Sequence, residues 1–162
     1  MVESDKITAV KVEQEGVFNL KEVYNFFYTW LSDYEYFIEE KEYKEKVKGE
    51  EGKDIEIEWN AFRKITDYFK YVLKIKWVIR GVIPVSKGLS KGKLTINVIG
   101  FLERDYENKW ESSSASKFLR SIYDKYIIKQ RIEDYEDRVA EEVDEAIAQL
   151  KAFLVLEGKR EA

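Results

Sequence analysis

The strongest constraint on the fold is the alternation between Phe69 and Ile79. Phe69, Tyr71, Leu73, Ile75, Trp77 and Ile79 occupy every second position, with Lys70, Lys74, Lys76 and then Arg80 between them. Successive side chains of a β-strand point to opposite faces, so this ribbon has an apolar side and a lysine-rich side, with Val72 and Val78 set among the lysines. Such a pattern belongs to an antiparallel sheet with one face buried and the other in water.

Neighbouring segments repeat the pattern. Ile55, Ile57, Trp59 and Ala61 share one face, opposite Glu56, Glu58 and Asn60. Over 93–104, Leu94, Ile96, Val98 and Leu102 share a face, Gly100 falls in register as a bend or bulge, and Ile99 and Phe101 point the other way. Branched residues over 6–14 predict a further strand ended by Gly16, and 34–48 reads as a bulged or edge strand followed by a turn at Gly49–Gly52. The stretch from Gly81 to Gly92, with the only proline at Pro84, reads as a loop.

The helices are marked by period and caps. Asn19 precedes the stripe Leu20, Val23, Tyr24, Phe27, Trp30 and Leu31, with Glu22 at the capping-box position and Phe18 and Val23 placed as a staple, and an end expected near Ser32. Beyond a turn at 105–110, Ser112–Ser114 can cap a helix over 115–128 with Phe118, Leu119, Ile122, Tyr126 and Ile127 inward. Residues 130–156 predict a longer helix, roughly 40 Å at 1.5 Å per residue, with Ile132, Tyr135, Val139, Val143, Ala146, Ile147, Leu150, Phe153 and Leu154 on one stripe. A break is placed near Lys129, one bent helix being the alternative, and Gly158 can cap the end.

The expected fold is therefore α+β: a single antiparallel sheet of about five strands with helices, including the long C-terminal one, packed on one face. A chain of 162 residues suits one domain over 1–162, with 1–5 and 158–162 loose. The hydrophobic fraction of 44% and a net charge of −4 set it apart from disordered chains.

The chain has no His and no Cys. Disulfides, thiolate metal sites and most nucleophile–base pairs are thereby excluded, and no cofactor is called for. No basic region precedes an apolar stretch at the N-terminus and no run of apolar residues is long enough to span a bilayer, so the expected compartment is cytoplasmic.

What remains is acidic, basic and aromatic. Glu56 and Glu58 opposite Lys70, Lys74 and Lys76 could be an acid–base pair, but a cross-strand charge ladder on a solvated face accounts for them. Glu103, Asp105 and Glu107 could offer oxygens to a divalent cation, yet they lack the Ca²⁺-loop spacing. Gly-Leu-Ser-Lys-Gly-Lys near Gly88 is followed by a strand and not a helix, which makes it a hairpin rather than a phosphate loop. Lys117, Arg120, Lys125, Lys129 and Arg131 could touch phosphates, but the acidic run from Glu133 to Glu145 and the negative chain weigh against nucleic acid.

The aromatic surplus of 15% is the remaining signal. Trp30, Trp59, Trp77, Trp110, Tyr71, Tyr126 and Phe153 are the candidate ligand or interface residues, and an ordinary core with polar tips at the surface accounts for the same residues. The leading expectation is a non-catalytic binding or assembly protein acting by protein–protein contact or self-association. The alternatives are a carrier of a small hydrophobic ligand between sheet and helices, and a carboxylate-based or metal-assisted enzyme.

The set Phe18, Lys21-Glu22, Tyr24, Trp59, Tyr68-Phe69-Lys70-Tyr71, Leu102-Glu103, Asp105-Tyr106, Trp110 and Lys151-Ala152-Phe153-Leu154 resembles small archaeal proteins of unknown function, a likeness that covers most of the chain and implies no particular site residues. The element order is also similar to that of helix-grip proteins, in which a curved antiparallel sheet wraps a long C-terminal helix around a hydrophobic cavity. The chain departs from them in its strand number, about five against seven, and in an extra helix before the last.

Overall fold

The computed structural model describes residues 3–86, 88–104, 114–122 and 129–159. Five antiparallel strands form one sheet in the order β1-β5-β4-β3-β2. They are β1 (Glu3–Phe18), β2 (Phe37–Val47), β3 (Lys53–Lys64), β4 (Phe69–Ser86) and β5 (Leu89–Arg104), with helices α1 (Leu20–Asp33), α2 (Ser114–Ile122) and α3 (Lys129–Lys159). β2 to β5 form a meander of successive neighbours, whereas β1 pairs only with β5, from Glu3↔Arg104 to Phe18↔Ser90.

The alternating ribbon lies in the centre of the sheet. Phe69, Tyr71, Leu73, Ile75, Trp77 and Ile79 are all buried, as are Ile55, Ile57, Trp59 and Ala61 on β3 and Leu94, Ile96, Val98 and Leu102 on β5. α1 and α3 cover this face, α3 over β1 and β5, and α1 against β2 and α3. The α3 stripe Val139, Val143, Ala146, Ile147, Leu150 and Leu154 is buried as its spacing predicts.

Helix α1 starts where the cap places it. The Asn19 Oδ1 accepts the Glu22 backbone N–H at 3.1 Å, and both staple residues, Phe18 and Val23, are buried. The helix ends one residue past Ser32, and Tyr34 N–H closes its last turn on the Trp30 carbonyl.

At Gly100 the sheet and α3 are packed closely. It sits opposite Thr8, beside a bulge that leaves Ile7 without a partner on β5. A Cβ at Gly100 would lie 3.0 Å from Thr8 Cγ2 and 3.3 Å from Val143 Cγ2. A side chain here would make Thr8 and Val143 give by a few tenths of an ångström, and glycine avoids that.

Three expectations are corrected. Gly16 does not end β1: it adopts φ 128°, a conformation open to glycine, and the strand continues to Phe18. The stretch 81–92 is mostly not a loop, because β4 runs to Ser86 and β5 resumes at Leu89 in a long hairpin. Val82, Ile83 and Val85 favour extended backbone, and Pro84 lies beyond the last β3 partner, Val82↔Lys53, where the strand has a neighbour on one side only and a missing N–H is tolerated. Phe118 and Leu119 on α2 are exposed rather than inward. The expected turn at 105–110, the caps Ser112 and Ser113, the inward residues Tyr126 and Ile127 and the connection between α2 and α3 lie outside the described residues.

Gly100→Val should destabilise the protein by about 1–3 kcal/mol, the usual cost of overpacking, while leaving the far-ultraviolet dichroism of the folded state unchanged. Urea titration of the variant beside the parent measures it.

Candidate functional site

The two faces of the sheet carry different chemistry. On the open face, charges pair across strands: Lys76 Nζ lies 3.7 Å from Glu58, Arg80 Nη2 3.1 Å from Glu56 and Lys70 Nζ 3.4 Å from Glu103. This is the ladder that alternation predicts, and each exposed pair contributes little to stability. At one end of this face an apolar row crosses the strands, Phe37 opposite Phe62, then Val72 opposite Phe101. Lys70 and Lys74 ammonium groups lie 5.2 and 5.1 Å from the centres of the Phe62 and Phe101 rings, so their stems and charges cover part of the row.

Two polar clasps hold the edges. Near the β2–β3 turn, the nearly buried Asp54 carboxylate accepts from the Gly81 backbone N–H at 3.0 Å and pairs with Lys48 at 2.8 Å and Arg80 at 3.2 Å. The Lys48 ammonium, with the Gly81 N–H, holds its pKa down to about 2. The cleft beside it, about 630 Å³, is lined by Tyr43, Lys44, Glu45, Lys46, Asp54, Glu56 and Arg80, so acids there already face cations.

At the other end of β3, Arg63 donates to Glu142 of α3 at 2.5 Å and to the Tyr34 carbonyl at 2.8 Å. Its guanidinium lies 5.0 Å from the Tyr36 ring and 5.3 Å from the Tyr71 ring. Tyr36 Oη donates to the second Glu142 oxygen at 2.7 Å, and Tyr71 Oη donates to the Tyr135 carbonyl at 3.0 Å. Burial, then the Glu142 charge, raises the Tyr36 phenol well above its ordinary value, and the same two causes lift Tyr71 to about 12. Every polar group of the cluster has a partner within it, so it fastens α3 to the sheet. Sequence reasoning missed this pair because its members stand 79 residues apart.

The candidate aromatic residues divide between interior and surface. Trp59, Trp77 and Tyr71 are core. Trp59 meets Trp77 edge-on at 5.2 Å, and Tyr24 and Phe27 of α1 pack on both at 4.9 to 6.0 Å, filling the space between α1 and the sheet. Trp30 and Phe153 are half-buried: Phe153 stacks on Phe26 at 4.5 Å, and Phe26 and Trp30 share a shallow groove on α1. Trp110 and Tyr126 lie outside the described residues. The set is thus not brought together in one place.

A different aromatic grouping stands out. Tyr28 and Tyr34 of α1 and its C-terminal end, and Phe37 and Tyr43 of β2, are exposed, and Val47 closes the strand at 75% exposure. Phe118 on α2 is the other exposed aromatic among the described residues. Tyr34 stacks on Trp30 at 4.0 Å, and Tyr24 Oη donates to Glu40 of β2 at 2.9 Å, joining the helix to the strand. The free edge of the sheet therefore lies along an aromatic flank built from α1 and β2. Sequence spacing marked 34–48 as an edge, but only the strand order shows which helix stands beside it.

Among the described residues, no group of three acids is placed to hold a metal ion, and no helix is long and apolar enough to cross a membrane. Glu103 is paired with Lys70, while Asp105 and Glu107 lie outside the described residues. Neither a protein-family model nor a curated protein sequence matches the chain.

Two pH limits follow from the clasps. Asp54 titrates near 3.8 when free and near 2 when folded, so its contribution is complete above about pH 4 and is lost as pH falls towards 2. Tyr24, raised by partial burial and Glu40, and Tyr71, raised by burial and Glu142, titrate near 12 against an ordinary 10.0, so their contribution is present below pH 10 and lost towards pH 12. Urea midpoints measured from pH 2 to 12 should fall at both ends, and Asp54→Asn should flatten the acid limb while leaving the alkaline one in place.

Proposed function

We propose that this protein is a non-catalytic binding or assembly protein that works by association with another protein chain, its own copies included, through the α1–β2 flank. The observation that carries this reading is the exposure of Tyr28, Tyr34, Phe37 and Tyr43 along a free sheet edge. Single exposed apolar residues are ordinary. Aromatic side chains grouped on one helix and the strand beside it supply large contact area at low entropic cost, which is what protein interfaces use. The unpaired N–H and C=O groups of an edge strand add a second means of attachment.

The interior supports the same reading. Trp59, Trp77, Phe27 and Tyr24 contact one another between α1 and the sheet, so the aromatic surplus there is spent on packing. That favours the surface over the interior as the place of binding. On the open face, Glu56, Glu58 and Glu103 each have a cationic partner, an arrangement that suits solvation better than acid–base work.

Light scattering coupled to size exclusion, from micromolar to near-millimolar protein, should give a mass above the 19.3 kDa of one chain. The double substitution Tyr34→Ser with Phe37→Ser should shift the assembly towards single chains by at least about tenfold in dissociation constant, two interface aromatics being removed. A mass of one chain over the whole range would overturn self-association through this flank.

A further inference from the structure

We infer that the partner at this flank is a second copy of the chain, joined β2 to β2 in antiparallel register about a two-fold axis at Tyr43. The inference rests on the association reading above and deepens it by naming occupant and register. It comes from the order of charges on the edge strand, Glu39-Glu40-Lys41-Glu42-Tyr43-Lys44-Glu45-Lys46.

About Tyr43 this order reverses sign. Glu42 mirrors Lys44, Lys41 mirrors Glu45, and Glu40 mirrors Lys46. In an antiparallel pair related by a two-fold axis through the sheet, residues equally far from the axis on either side stand directly opposite and on the same face. With the axis at Tyr43, Glu42 and Lys44 each meet their opposite on the partner on one face of the sheet, while the extra residue at Lys41 shifts the phase of Glu40 and the residues before it. Opposite charges across an antiparallel pair stabilise it and like charges destabilise it.

The same order rejects the neighbouring registers. An axis of this kind must pass through a residue, because opposite residues share a face. An axis at Lys41, Glu42, Lys44 or Glu45 sets that charge against its own copy. Within 39–46, Tyr43 is the only uncharged residue. The charges therefore specify one alignment.

The strand is free to accept a partner. β2 is the last strand of the sheet, eleven residues long, with β3 on one side. The pair nearest the axis is held along the strand itself, exposed Lys44 on half-buried Glu42 at 2.7 Å, so it can exchange a neighbour on its own strand for one across the axis, whereas Glu40 is engaged by Tyr24 and Glu45 by Lys53. The bulge at Lys41 lies two residues from the axis, so the two symmetry-related Glu42–Lys44 contacts nearest the axis carry the register. The product is a continuous ten-stranded sheet with the helices of both copies on one side.

The test is a charge swap within one chain, read as a dimer dissociation constant by sedimentation or light scattering. The parent should dimerise, and more weakly in 1 M salt, where the screening length falls to about 3 Å. Lys44→Glu alone, and Glu42→Lys alone, should each weaken the dimer by at least about tenfold, since each turns two attractive contacts into repulsive ones. Glu42→Lys combined with Lys44→Glu restores opposite charges across the axis and should recover the parental affinity. A dimer indifferent to the single substitutions, or a double variant as weak as the singles, overturns the β2 register and leaves association by another surface standing. A parent that stays a single chain at every concentration overturns the β2 dimer and self-association with it. Lys44 is exposed and Glu42 half-buried, and dichroism of each variant verifies that it folds.

Discussion

The molecule depends on one contact: the apolar stripe of a 31-residue helix laid on the covered face of the sheet where Gly100 leaves room for Val143. A sheet with one apolar face is not stable on its own in water, because the area it must hide is as large as the area it may show. α3 closes over β1 and β5, and α1 closes over the other half against β2. The bulge at Ile7, the bare Cα of Gly100 and the small Ala146 belong to this one fit.

Polar groups act at the borders of that contact and not within it. Arg63 and Glu142 tie α3 to the end of β3, and Asp54 ties the β2–β3 turn to the backbone of β4 at Gly81. Both clasps sit where a strand would otherwise fray. They also decide what the chain has left to offer a partner. With the interior filled by interlocked aromatic rings and the open-face acids paired, the exposed aromatics of the outermost strand and the helix beside it are apolar area left to offer.

Much of the fold was legible because period and capping are local signals. The alternation at 69–79 and 55–61, the Asn19 cap and the α3 stripe all depend on residues within a few positions of each other, and each stands where the spacing places it. The stretch 81–92 misled because Gly81, Pro84 and Gly88 are turn formers by composition, whereas only Gly88 lies in the turn: Gly81 sits at a shift of register and Pro84 pairs with Ser90 of β5. Phe118 and Leu119 misled for a related reason: helical spacing says that two residues share a face, not that anything covers it. The site was less legible still. Aromatic residues could be counted, but assigning Trp59 and Trp77 to the interior and Tyr28 and Phe37 to the surface needs the strand order. The Arg63–Glu142 pair joins elements that no local pattern connects.

The pairing of β1 with β5 alone has a consequence for how the chain comes into being. Four strands follow one another as hairpins and can zip as they emerge, but the first strand has no partner until residue 90 has been made and no complete ladder until residue 104. At translation rates of about 5–20 residues per second, the nascent N-terminus waits roughly 5–20 s before its ladder can form. During that interval β4 stands without its β5 neighbour, and the cover that α3 gives the sheet is still to be made. Because α3 follows β5 in the chain, the half of the inner face over β1 and β5 stays bare until that helix is made.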